Sequence, residues 1–187
     1  MKKAIAIIVW GLLWCNAGIA GEQAAVEDLD IDAWDTTFKV NVYAAFCAIK
    51  LVTPLMKAQQ SGSIINISTK SSQVGLPNRL PYIASKSAIN GLTYNLAREL
   101  GPYNIRCNAI MPGLVDNERG RMIVARMAKE AGVSEEEFKS GALKYISMRT
   151  EVQPSEIADM ASFLASEQAK HVTGQLIAVD GNMEWEG

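Results

Sequence analysis

Short β-branched runs alternate along this chain with longer stretches whose apolar residues recur every three or four positions, the two periods of strands and helices. Gly62-Ser63-Ile64-Ile65-Asn66-Ile67-Ser68-Thr69 is a run of the first kind, starting at a glycine and ending in hydroxyl residues. It predicts a buried strand whose carboxyl end carries polar groups. Asn104 to Met111, closed by Pro112-Gly113, predicts a second strand, Gln175 to Val179 a third, and the apolar run from about 5 to 15 a fourth. Arg106 and Asn108 within the second alternate with apolar positions or cap the strand end, and neither needs a function.

Helical spacing covers Asp32 to about Lys57, where Trp34, Phe38, Val42, Phe46, Ile49 and Val52 fall mostly three or four apart and Asp32 can cap. Asn41 sits in the middle of that helix, where an asparagine is costly unless its side chain has a partner. Pro81 to Leu100 predicts a second long helix: Pro81 suits its first turn and Gly101-Pro102 ends it. Leu114 to Ser147 predicts two or three helical pieces over a cleft, interrupted at Gly120, Gly132 and Gly141, with Ser134-Glu135-Glu136-Glu137 as a capped start. Pro154-Ser155-Glu156 opens the last helix. Strands alternating with helices predict an α/β fold around a parallel sheet with right-handed crossovers, with ligands at the carboxyl ends of its strands.

Composition narrows the chemistry. The chain has 187 residues, 49% of them hydrophobic and 20% charged, enough for one well-buried domain over 1–187. A net charge of -2 leaves no electrostatic footprint for nucleic acid. Three well-separated cysteines, Cys15, Cys47 and Cys107, read as buried thiols of a reducing compartment, the cytoplasm. With His171 as the one histidine, read as a loop residue, a histidine triad or zinc site lacks ligands, so no metal is expected. Small-molecule chemistry is the class that remains.

Tyr82 and Lys86 project from the same face of the second long helix, about one turn apart. An ammonium beside a phenol favours the phenolate, which allows proton exchange with a substrate oxygen. A hydroxyl at the end of the preceding strand could hold that same oxygen.

In one order and at compatible spacings the chain carries Asn16-Ala17-Gly18 after an apolar run, Asn41 in a helix, Ser68-Thr69 ending a strand, Tyr82-Ile83-Ala84-Ser85-Lys86, and Pro112-Gly113. The joint pattern resembles the short-chain dehydrogenase/reductase family from about Leu12 to Asp180. The resemblance implies a partial Rossmann-like, doubly wound sheet and an NAD- or NADP-dependent oxidoreductase interconverting a secondary alcohol and a ketone. It implies Tyr82 as acid and base, with Lys86 supporting it and binding the nicotinamide ribose. Thr69 falls where the family has a serine orienting the carbonyl, with Ser68 as the lesser substitute, and Asn41 would complete a proton relay through a water. Asn16, Ala17, Gly18, Pro112, Gly113 and Leu114 would flank the nicotinamide, with Asn41, Tyr82 and Lys86 also counted among the cofactor residues. The 114–147 segment would form the substrate lid. A homo-oligomer would assemble through the two long helices and the last strand, with no membrane partner.

The family builds seven strands, and only the last four are accounted for, which marks the chain as an N-terminally truncated member. Nowhere are two glycines separated by a single residue, so the glycine-rich turn that cradles a dinucleotide pyrophosphate is absent. Two alternatives follow. The chain could be a non-catalytic remnant that folds or oligomerises without tight cofactor binding, its first strand left as an unpaired sheet edge. It could instead be exported, if Lys2, Lys3 and the apolar run before Gly18-Ile19-Ala20 act as a secretory signal. Residues 1 to 10 otherwise match nothing expected upstream.

Overall fold

A computed structural model of the chain describes residues 6–9 and 11–184, with side chains from residue 11 onward. Its sheet has five strands, β1 (Ala6–Val9), β2 (Leu12–Cys15), β3 (Gly62–Ile67), β4 (Ile105–Pro112) and β5 (Leu176–Val179), lying side by side in that order. β2 to β5 are parallel, while β1 runs antiparallel to β2 with Val9 opposite Leu12 and Ala6 opposite Cys15.

The expected single strand near 5 to 15 is therefore a hairpin. Gly11 turns the chain at φ 86°, a left-handed conformation that favours glycine. β1 covers the side of β2 that a sheet starting at Leu12 would leave unpaired, so the outer strand on that side is β1 and not β2. Lys2 and Lys3, the charged start of the signal-peptide reading, lie outside the described residues.

A continuous helical run follows: α1 (Ile31–Phe38), a π-helical turn (Lys39–Tyr43) and α2 (Ala44–Gln59). Asp30, two positions before the Asp32 expected to cap it, caps it by accepting from the Asp32 and Ala33 N–H groups at 2.6 and 3.2 Å. By length and composition this run could cross a membrane, yet Ile49, Val52 and Met56 pack against the sheet. Next come α3 (Ser71–Val74), α4 (Leu80–Leu100), α5 (Glu118–Ala131), α6 (Glu135–Leu143) and α7 (Pro154–Ala165). Ser134 caps α6 by accepting from the Glu137 N–H at 3.1 Å, as the sequence implies.

Helices cover both faces. Leu13, Ile64, Ile105 and Cys107 bury against α2 and against Ala97 and Leu100 of α4, while Ile65 and Ile110 bury against Ile157, Ala161 and Leu164 of α7. Neighbouring residues of one strand thus feed opposite layers, and a central strand buried on both sides reads as an unbroken apolar run. Arg106 donates to the carbonyls of Leu164, Ala165 and Ser166 at the end of α7, where a cation complements the helix dipole. Asn108 ties down the 172–175 loop, donating to Val172 O at 2.8 Å and accepting from Gln175 N at 3.0 Å. Both are structural.

All three cysteines are free. Burial pushes the thiols of Cys15 and Cys107 up to about 12, but of the three thiols expected to be buried only Cys107 is fully so; Cys15 is half-buried and Cys47, on α2, is exposed. His171 lies in an exposed turn, and the described residues contain no cluster able to hold a metal.

Candidate active site

The carboxyl ends of β2, β3 and β4 open on one cleft of about 260 Å³. Asn16 and Gly18 follow β2, Ser68 and Thr69 follow β3, and Pro112, Gly113 and Leu114 end β4 and leave it; all line the cleft together with Tyr82 and Lys86 of α4. Ala17 and Asn41, grouped with these residues on sequence grounds, are not part of its lining.

Asn41 lies directly behind it. The side chain is 2% exposed and sits in the π-helical turn, the kind of local irregularity that helices often carry at functional sites. Its Oδ1 accepts from Ile19 N at 2.8 Å, while Nδ2 donates to Ile19 O at 3.1 Å and to Ser85 Oγ at 2.9 Å. Ser85 in turn donates to the carbonyl of Tyr82 at 2.7 Å. This chain of bonds ties the turn after β2 to the first turns of α4. Both amide hydrogens of Asn41 are spent on protein acceptors, so its side chain is a latch between two parts of the site wall.

Lys86 is 5% exposed. Its ammonium donates to the Ile67 carbonyl at 2.7 Å and lies 5.9 Å from the centroid of the Tyr82 ring. Burial, with a smaller contribution from the positive charge of Arg119, pulls its pKa from 10.5 down to about 8. A Cβ on Gly18 would lie 3.5 Å from both Lys86 Nζ and Asn41 Oδ1, which places the turn backbone against these two side chains.

The two hydroxyls at the end of β3 differ in their commitments. Ser68 Oγ donates to the Lys86 carbonyl at 3.3 Å and so joins strand to helix. Thr69 Oγ1 accepts a long bond from Ser71 N at 3.4 Å, and its own proton has no protein acceptor among the described residues. Thr69 is therefore the better donor to a ligand.

Gly113 fits for a steric reason: a Cβ there would meet Asp180 Cβ at 2.7 Å and Asp180 Cα at 2.8 Å. Sequence reasoning missed Ser85, whose place inside the Tyr-to-Lys segment was its one visible signal, and it missed Arg79 and Arg119, which also line the cleft.

The protein-family model described as Enoyl-(Acyl carrier protein) reductase matches residues 10–184. The chain belongs to the short-chain dehydrogenase/reductase family. Among curated members, it is 37% identical to trans-4-hydroxycyclohexanecarboxylate dehydrogenase of Sinomonas cyclohexanicum over 89% of this chain and 57% of the relative. It is 33% identical to a 3-oxoacyl-(acyl-carrier-protein) reductase of Thermotoga maritima over 90% of this chain and 63% of the relative. The chain thus spans roughly three fifths of the length of these curated family members. In three dimensions it is similar to NAD+-bound xylitol dehydrogenase, with TM-score 0.84 and 31% identity over 91% of this chain and 67% of that structure. A 3-oxoacyl-(acyl-carrier protein) reductase from Brucella melitensis matches with TM-score 0.82 and 34% identity over 96% and 65%. These likenesses bear out the Rossmann-like α/β reading of this short-chain family member.

Proposed function

We propose that the chain is a nicotinamide-dependent oxidoreductase that interconverts a secondary alcohol and a ketone. The observation that carries this reading is the single cleft shared by the Tyr82 ring, the Lys86 ammonium and the Thr69 hydroxyl at the carboxyl ends of parallel strands, where open α/β sheets hold their ligands. The residues present fit the nicotinamide end of NAD or NADP: Asn16 and Gly18 on one wall, Pro112 to Leu114 on another, and Lys86 placed to meet a ribose. The sequence has no glycine-rich turn for the pyrophosphate. When bound, the nicotinamide supplies or accepts the hydride.

The chain's own groups handle the oxygen. In reduction, Thr69 donates a hydrogen bond to the ketone oxygen and Tyr82 gives it a proton as carbon is reduced. In oxidation Tyr82 takes the proton back. The Lys86 cation, fixed by the Ile67 carbonyl, stabilises negative charge as it develops on the Tyr82 oxygen, and acid–base action of this kind contributes about 10² to 10⁴ in rate. Asn41 and Ser85 act on position, holding the β2 turn against α4.

We place the protein in the cytoplasm as a homo-oligomer. Free cysteines and a site turn that lies ahead of Ala20 support the first assignment. Exposed apolar residues on the two long helices, among them Leu51, Leu55 and Tyr94, support the second. Titration with reduced nicotinamide cofactor tests the reading: saturable binding that Lys86→Met weakens is expected. No binding at millimolar concentration would favour the non-catalytic remnant.

A further inference from the structure

Among the described residues the cleft is lined by three cations and by no carboxylate. Lys86 already has its carbonyl partner, and Arg119 donates to Gly18 O at 3.2 Å, which places it at the turn after β2. Arg79 differs from both. It stands just before α4, three residues ahead of Tyr82, with its guanidinium carbon 5.2 Å from the centroid of the Tyr82 ring. Its Nε is buried without a hydrogen-bond partner, and none of the ion pairs among the described residues includes it.

No acid among the described residues is paired with Arg79. Asp116 pairs with Arg121 at 2.6 Å, Glu130 with Arg126 at 3.4 Å, and Asp180 lies 4.0 Å from Lys70. Burial lowers the pKa of Arg79; Tyr82 opposes that effect, and the charges of Arg126 and Arg119 add to it. A half-buried guanidinium that feels two other positive charges and has no anion paired with it is an incomplete arrangement. The stack on Tyr82 accounts for its position and leaves its donors unused. A planar fork of donors beside the reacting group suits a carboxylate, which accepts two parallel bonds from it.

We propose that the substrate is an oxo acid, or the hydroxy acid to which it is reduced, whose carboxylate is held by Arg79 at the Tyr82 end of the cleft. The assignment deepens the oxidoreductase reading and rests on it for the chemistry at the other end of the substrate. The carboxylate takes no part in the bond changes: in oxidation the carbinol C–H is lost as hydride to the oxidised nicotinamide and the hydroxyl proton to Tyr82 as the C=O forms. A phosphate of the cofactor is the other anion that could meet this cleft. Arg79 is assigned to the substrate because it lies on the ring that meets the reacting oxygen, while Arg119 is the cation at the nicotinamide-flanking turn.

The test uses the full chain and a series of small oxo acids, levulinate among them, each compared with its neutral amide. Binding is followed by calorimetry and turnover by loss of reduced nicotinamide absorbance, for the parent and for Arg79→Gln and Arg79→Lys. Acids are expected to exceed their amides roughly ten- to a hundredfold in kcat/KM and in affinity. Arg79→Gln should bring that ratio towards one, chiefly through KM, and Arg79→Lys should restore part of it. Equal use of acids and amides by the parent would overturn the proposal and leave the oxidoreductase reading intact. Arg79-dependent acid binding without turnover would keep the carboxylate site and remove the oxidoreductase reading. A loss of cofactor affinity in Arg79→Gln with the acid-to-amide ratio unchanged would give Arg79 to a cofactor phosphate and overturn the proposal, as would absence of acid binding altogether.

Discussion

Replacing Asn41 with alanine removes three hydrogen bonds at once: two to the backbone of Ile19, at 2.8 and 3.1 Å, and one to Ser85 Oγ at 2.9 Å. Each is worth about 1 kcal/mol net, and a buried group left without its partner costs about 1–3 kcal/mol. Ile19 is only partly buried, so water can replace some of what is lost, and the total should be about 3 kcal/mol. For a chain of this length that corresponds to a fall in Tm of roughly 6–12 °C. Urea unfolding followed by tryptophan fluorescence, with Trp14 and Trp34 as reporters, measures it directly. Asn41→Asp keeps an acceptor for Ile19 N and gives up both donated bonds, so about two thirds of the loss should remain. Because Ile19 follows the Asn16–Gly18 turn, cofactor affinity should drop in both variants. A loss below about 0.5 kcal/mol in Asn41→Ala would show that the latch carries no load and would refute the reasoning.

Lys86 sets a pH dependence. Its folded pKa near 8 lies below the ordinary 10.5, so between those values the unfolded chain binds more protons. The destabilisation from this group is thus complete below pH about 8 and is relieved as pH rises towards 10.5, which urea midpoints across that range will read in the parent but not in Lys86→Met. Turnover should fall over the same rise as the cation is lost, and Arg119→Gln should move that limb to higher pH by removing a like charge. Gly113→Ala should destabilise by about 1–3 kcal/mol or more, because its methyl would meet Asp180 Cα and Cβ; an unchanged Tm would contradict the packing. Thr69→Val, which deletes the donor and keeps the shape, should lower kcat about 10²- to 10³-fold, and Thr69→Ser should retain most activity; equal rates for all three would exclude the hydroxyl.

Much of this was legible in the sequence where a local rule and the tertiary fold agree. Ile64 and Ile65 read as strand because both faces of β3 are buried, and α4 read as helix between Pro81 and Gly101. The apolar run before Asn16 misled because Ile, Val, Leu and Trp suit either arm of a hairpin, and only Gly11 marks the turn. Asn41 was flagged by its cost inside a helix, but its partner Ile19 lies 22 residues away and no spacing rule reaches it. Arg79 escaped for a different reason. A long, flexible side chain at a helix start can point to solvent or stack on a neighbour, and only the folded structure shows it over the Tyr82 ring.

The central claim is that the Tyr82 hydroxyl exchanges the proton in a nicotinamide-linked reaction. Reduced nicotinamide consumption with a carbonyl substrate, compared between the parent and Tyr82→Phe at matched Tm, tests it most directly. The expected result is a loss of at least about 10²-fold in kcat with the fold unchanged. Equal rates in the two proteins would contradict it.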